Sequence, residues 1–262
     1  MSGVTAPPPE VFAYGKAKVR IFDTGEEMGV AAAKDARKLI VRAIEERGGA
    51  RIMVATGNSQ INVVSELVKQ TGIDWSKVLI FHMDEYLGID ANHPASFRRW
   101  IRERVETRVS PAHVNYIEGD AADVGQEIAR YASLLAAGPL DVAFVGFGEN
   151  GHIAFNDPPV ADFNDPQMVK RVTLDAACRE QQVGEGHFGS VAEVPAEALT
   201  VSCSGLFRAQ AWISCVPERR KAEAVRRALT GAINVECPAS LVQTHPKASV
   251  YLDSDSAALL NI

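Results

Sequence analysis

Gly148-Glu149-Asn150-Gly151-His152-Ile153-Ala154-Phe155-Asn156-Asp157-Pro158 gathers an imidazole, two carboxamides and carboxylates into one short, glycine-flanked stretch. A histidine within reach of a carboxylate is a proton-transfer device near neutral pH. Flanking glycines let the backbone approach a ligand closely. The stretch follows the apolar run Asp141-Val142-Ala143-Phe144-Val145, which reads as a buried strand. In open α/β sheets, ligands bind just past the carboxyl ends of strands. The expectation is an active-site loop carrying Asn150, Gly151, His152 and Asp157.

Two other runs have the same form. Arg51-Ile52-Met53-Val54-Ala55 leads into Thr56-Gly57-Asn58-Ser59 and an amphipathic helix pattern from Gln60 to Lys69. Val78-Leu79-Ile80-Phe81-His82-Met83 leads into Asp84-Glu85-Tyr86-Leu87-Gly88. Each is a strand followed by a polar, glycine-containing turn, and such turns can converge along one edge of a parallel sheet.

Each constellation has a plain reading beside the functional one. Thr56–Ser59 is either an ordinary helix start with Ser59 as N-cap or a phosphate cradle of backbone N–H groups and a hydroxyl. Asp84-Glu85 is either a solvated turn or a strand end whose alternation points one carboxylate into a cleft. The His152 cluster could be a structural hydrogen-bond network. A metal site using His82, His93 and nearby acids is a further option, but no metal-ligand spacing is evident. Lys221, within Arg219-Arg220-Lys221, is either a solvated helix face or a point charge for an anion. Gly146-Phe147-Gly148-Glu149-Asn150-Gly151 satisfies G-x-G-x-x-G after a strand. That fingerprint needs a helix opening at its third glycine, and Pro158-Pro159 would break such a helix, so it reads as a coincidence.

The elements that must position these groups follow from periodicity. Strands are predicted at 18–22, 51–55, 78–83, 141–145, 170–174, 198–203, 211–216 and 248–252. Helices are predicted from Thr24 (N-cap, with Glu27 three residues on) to Arg47 before Gly48-Gly49, and at 60–70, 95–105, 121–136 and 218–229. Strands separated by helices imply βαβ units. The fold class is therefore α/β: a doubly wound, mostly parallel, Rossmann-like sheet with helices on both faces. Residues 13–262 are expected to form one catalytic domain, after a flexible tail at 1–12 that contains Pro7-Pro8-Pro9. Pro158 to Val194 breaks the rhythm with Pro and Gly and only short periodic pieces. Beside an active-site loop this predicts a lid at about 160–190.

Composition excludes several classes. The 262 residues are 47% hydrophobic with a formal charge of −6. That suffices for a packed core and disfavours nucleic acid as a partner. A local pocket of amides and one lysine can still hold an anionic metabolite. Cys178, Cys203, Cys215 and Cys237 form no C-x-x-C pair, consistent with a reduced cytoplasmic chain. No signal peptide or membrane-length apolar run is present, so no membrane role is expected.

The ordered set of motifs resembles the glucosamine-6-phosphate deaminase/isomerase family. It comprises Thr56-Gly57-Asn58-Ser59, Met83-Asp84-Glu85-Tyr86, His93-Pro94-Ala95-Ser96 and Asn150 through Asn156. Val194-Pro195, Ala198-Leu199-Thr200, Lys221-Ala222 and Ser240 through Lys247 follow in the family's order, covering roughly residues 18 to 255. The resemblance implies a sugar-phosphate isomerase type of fold. It makes Asp84 the base that moves a proton between C1 and C2 of an open-chain sugar. His152 opens the ring, supported by Asn150 and Asp157, the latter standing where the family typically has Glu. Thr56, Gly57, Asn58, Ser59 and Lys221 hold the phosphate, and Glu85, Tyr86 and Gly151 count among the substrate-contacting positions. The family's lid arginine, in Asn-Ser-Arg-Phe-Phe, is missing from Gly184-Glu185-Gly186-His187-Phe188. His187 or Arg179 is the available substitute.

The implied activity is conversion of glucosamine 6-phosphate to fructose 6-phosphate and ammonia, with no cofactor and no metal. The partner is a small-molecule sugar phosphate, and a homo-oligomer is compatible with the sequence. The alternatives are a 6-phosphogluconolactonase or other phosphosugar isomerase of the same fold, and a non-catalytic sugar-phosphate sensor.

Overall fold

The computed structural model describes residues 10–261. Strands β1 (Val11–Tyr14), β2 (Ala17–Phe22), β3 (Ala50–Val54), β4 (Val78–His82), β6 (His113–Asn115), β7 (Val142–Phe144), β10 (Trp212–Val216) and β11 (Ala248–Asp253) form one eight-stranded sheet. Its order is β1-β2-β11-β10-β7-β3-β4-β6, parallel throughout except for the β1–β2 hairpin. A second, antiparallel sheet has the order β5-β9-β8, from Asp84–Tyr86, Glu197–Val201 and Val169–Thr173.

Helices α1 (Gly25–Arg47), α2 (Ile61–Leu67), α3 (Phe97–Ile101), α4 (Thr107–Val109), α5 (Val124–Ala136), α6 (Ala176–Gly184), α7 (Cys203–Phe207) and α8 (Ala222–Thr230) connect the strands. A π-helical turn, Arg102–Glu106, joins α3 to α4. α1 begins where its cap predicts: the Glu27 N–H donates to the Thr24 hydroxyl at 3.2 Å. It ends at Gly48, whose left-handed φ of 79° a side chain would resist.

Strand alternation divides the core into two layers. Ile52, Val54, Ile80, Val142, Phe144, Ile213 and Tyr251 pack under α1, α2 and the α3–α4 stretch. Met53, Phe81, Ala143, Val145, Trp212, Val250 and Leu252 pack under α5, α7 and α8. A sheet buried on both faces must be apolar at consecutive positions, which is why these strands are visible in the sequence.

Several expectations need correction. The tail expected at 1–12 falls largely outside the described residues, but Val11 and Phe12 belong to β1, pairing with Arg20 and Val19. Asp84-Glu85-Tyr86 is a strand rather than a turn. Within the stretch 158–194 the strand expected at 170–174 is β8, but α6 is an unexpected helix. Together with Tyr86, Phe97 and Phe155 the stretch builds a small core of its own, including Val172, Leu174, Cys178 and Phe188.

Candidate active site

The chain runs β3, β4, β6 toward one edge, then returns to place β7 on the other side of β3 and continue to β10. The reversal lies between β3 and β7. Turns leaving the carboxyl ends of two such strands diverge there, which leaves a crevice for a ligand. The Thr56–Ser59 turn follows β3 and the Gly146–Asp157 loop follows β7. One pocket is lined by Thr56, Gly57, Ser59, Asp84, His152 and Lys221, with Gln181, Gln182, Glu185 and His187 from α6 and the residues after it.

Asp84 sits where β4 passes into β5 across the single residue Met83. Alternation then separates the two acids. Asp84 faces the pocket and is 7% exposed. Burial, with Glu85 beside it, pushes its carboxyl up to about 8. Glu85 points away and is fully buried at the start of α3. It accepts hydrogen bonds from the Ser96 hydroxyl (2.7 Å), Phe97 N–H (3.2 Å) and Arg98 N–H (3.0 Å). Burial raises the Glu85 carboxyl while these donors pull it down, and they hold it at the start of α3, off the pocket lining. Tyr86 is likewise removed: its hydroxyl donates to Gln182 Oε1 at 2.6 Å, and its ring packs with Phe97, Phe155 and Phe188.

No helix opens after β7, so the glycine pattern there is not a dinucleotide turn. Instead the loop folds on itself. The His152 N–H donates to Asn150 Oδ1 (2.9 Å), and Asn150 Nδ2 donates to Asp157 Oδ1 (2.9 Å). His152 Nδ1 lies 3.0 Å from the same Asp157 oxygen, yet neither Nδ1 nor Asp157 Oδ2 has an aligned hydrogen-bond partner. The shorter Asp thus reaches the imidazole in distance but not in direction. Burial pushes the Asp157 carboxyl up; His152, Asn150 and Cys178 outweigh it and hold the carboxyl below its usual range. Asn150 and Asp157 lie behind the imidazole, off the pocket lining, and His152 is the group on the pocket wall.

Two backbone features mark this loop. A Cβ on Gly148 would stand 2.2–2.4 Å from three imidazole atoms, so only glycine fits under His152. Ala154 is held at a left-handed φ of 50°, a strain of about 1–3 kcal/mol of the kind found at functional sites. Gly151 does not line the pocket; it turns the chain at φ 91° against Cys237.

Ser59 is not a helix N-cap, the plain reading of this turn. Asn58–Gln60 is a 3₁₀ turn without a side-chain cap, which leaves Ser59 on the pocket wall. Asn58 instead donates to the Glu185 carbonyl at 3.2 Å. Lys221 follows β10 in a 3₁₀ turn and is 3% exposed, not a solvated face. His187 reaches the pocket. Arg179 does not, because it is spent on the Val191 and Val194 carbonyls at 2.6 and 3.0 Å.

Folding also assembles residues that spacing does not reveal. His152, Asp157 and Cys178 bring potential metal ligands within 4.8 Å of one another. Burial, then Asp157, pushes the Cys178 thiol far above its ordinary range, against the thiolate a metal requires. His82 and His93 are elsewhere: His82 Nε2 accepts from the Ile117 N–H, and burial lowers its pKa to about 3. His93 stacks on Phe188. Gln181, Gln182 and Glu185 were hidden in a polar, glycine-ended segment with little apolar periodicity; only the acidic Glu185 beside a missing arginine was a legible signal.

Known proteins place this geometry in context. The model of the glucosamine-6-phosphate isomerase/6-phosphogluconolactonase family matches residues 23–251. A glucosamine-6-phosphate deaminase of Listeria monocytogenes is 31% identical over 234 residues, 89% of this chain and 97% of that one. One from Bacillus cereus is 30% identical over 242 residues, 92% and 88% of the two chains. A solved structure described as a monomeric glucosamine-6-phosphate deaminase superposes with a TM-score of 0.83 at 28% identity, covering 92% of this chain and 99% of that one. A 6-phosphogluconolactonase from Shewanella baltica shares the fold, with a TM-score of 0.75 at 21% identity over 90% of this chain and 97% of that one. The chain belongs to the glucosamine-6-phosphate isomerase/6-phosphogluconolactonase family.

Proposed function

We propose that this chain is an amino-sugar-phosphate deaminase/isomerase that converts glucosamine 6-phosphate to fructose 6-phosphate and ammonia, the residues from β1 onward acting as one catalytic domain. The observation that carries this reading is Asp84, a buried pocket carboxylate whose pKa of about 8 suits a general base at neutral pH. His152 takes the anomeric hydroxyl proton and returns it to the ring oxygen, which opens the ring. Asp84 then removes the C2 proton as the C2 ammonium gives a proton to O1, forming an enolamine, and Asp84 delivers its proton to C1. The resulting C2 imine adds water and expels ammonia, leaving the ketose. Asn150 and Asp157 orient the imidazole, and the Thr56–Ser59 turn with Lys221 holds the phosphate. Lactone hydrolysis needs one base to activate water and would leave Asp84 without a task.

No helix among the described residues is long and apolar enough to cross a membrane. Buried free cysteines suit a reducing cytoplasm. Ammonia release across a panel of amino-sugar phosphates tests the reading. Glucosamine 6-phosphate should give ammonia and fructose 6-phosphate together; hydrolysis of 6-phosphogluconolactone with no ammonia from any amino sugar would overturn it.

A further inference from the structure

Donors from separate segments converge on one carboxylate, that of Glu185. Gln181 Nε2 donates to it at 2.8 Å, and His187 Nε2 lies at 3.4 Å. From beyond β10, Arg220 Nη1 approaches at 3.6 Å and Lys221 Nζ at 3.7 Å. From beyond β3, a Cβ placed on Gly57 would lie 3.8 Å from Glu185 Oε2. The Glu185 side chain is only 8% exposed. Two of these, Lys221 and the turn that contains Gly57, are the groups to which the proposed function gives the substrate's phosphate.

We propose that Glu185 is a specificity-determining residue, an internal anion seated where the substrate's phosphate must bind, so that phosphate enters by exchange with this carboxylate. The inference rests on the phosphate-seat reading of the Thr56–Ser59 turn and Lys221. Charge makes the exchange necessary. Lys221 and Arg220 already face Glu185, Glu149 and Glu218, so carboxylates outnumber these cations before any phosphate arrives. A phosphate dianion added beside Glu185 would meet a net negative site; one that replaces it inherits both cations.

Proton uptake does not clear the seat. Burial pushes the Glu185 carboxyl up, but His187, Lys221, Gln181 and Arg220 outweigh it and bring it down to about 2. The backbone offers the way out. Glu185 is flanked by Gly184 and by Gly186 at φ 81°, and a Cβ on either glycine would touch nothing within 4 Å. Such a pair can absorb a change of backbone angles without steric resistance.

The test measures binding of inorganic phosphate by calorimetry to wild type, Glu185→Gln and Glu185→Ala, with thermal unfolding to establish that each is folded. Phosphate should bind both variants at least about tenfold more tightly, and Lys221→Ala added to Glu185→Gln should abolish that gain. KM for the phosphosugar should fall by a similar factor, while KM for the unphosphorylated parent sugar does not fall. Unchanged or weaker phosphate binding in both variants overturns the inference and makes Glu185 a structural or sugar-binding group. If phosphate tightens but no amino-sugar phosphate yields ammonia, the exchange stands and the deaminase reading fails.

Discussion

The two ends of the pocket are built differently. At the proton-transfer end, Asn150, His152 and Asp157 come from one short loop and hold one another through buried contacts. Asp84 is fixed by two sheets that meet at Met83. At the anion end, Lys221, Arg220, His187 and the Thr56–Ser59 turn come from separate elements, and Glu185 meets the two cations, Lys221 and Arg220. In the proposed mechanism the proton-transfer groups sit on one strand junction and one self-bonded loop, and the anion seat is assembled from separate segments. Preorganisation matters where protons move, whereas a seat for a ligand must open to accept it.

Substitutions should separate the two ends. The largest effect is expected for Asp84→Asn: turnover should drop by about 10²–10⁴-fold with phosphosugar binding nearly intact. Steady-state kinetics beside a direct binding measurement would check it, and a mutant that kept most of its turnover would remove Asp84 as the base. The same substitution should raise Tm above neutral pH. A carboxyl raised from 3.8 to about 8 on folding contributes stability that is lost as pH climbs through that interval, and the amide does not ionise. Because the base must be deprotonated, wild-type kcat/KM should rise with pH and level off above about 8.

Gly148→Ala comes next. Its methyl would occupy imidazole space and drive His152 from Asp157, so kcat should fall by about 10²-fold with phosphate affinity unchanged. Loss of phosphate affinity without loss of kcat would show that the ends are not independent. Lys221→Ala should do the reverse, weakening the phosphosugar at least about tenfold while the unphosphorylated parent sugar is little affected. The smallest effect is expected in α6 and the residues to Phe188. Hydrogen exchange there should slow on saturation with substrate, and equal protection with and without it would argue against a lid.

The contrast explains what could be read in advance. Strands β3, β4, β7, β10 and β11 are buried on both faces, and continuous apolar runs such as Val78–Phe81 announced them. Asn150, His152 and Asp157 were legible because a local loop keeps its members adjacent in sequence. Asp84 was legible as one of two acids at a strand end. Glu85 was misassigned because its task, accepting from the donors at the start of α3, depends on where the residues after Ser96 return in space. β5 and α6 escaped notice because a three-residue strand and a helix burying only Cys178 and Gln182 leave almost no periodicity. Glu185 reaches Lys221 across segments far apart in the chain, and no spacing rule encodes such a meeting.

The most direct test of Asp84 as the C1–C2 proton carrier is product stoichiometry with glucosamine 6-phosphate, measured for wild type and Asp84→Asn at saturating substrate. Wild type should release ammonia and fructose 6-phosphate in equal amounts, and the variant should bind the sugar phosphate while forming almost none of either. Equal product formation by the two proteins, or ammonia released without the ketose, would contradict it.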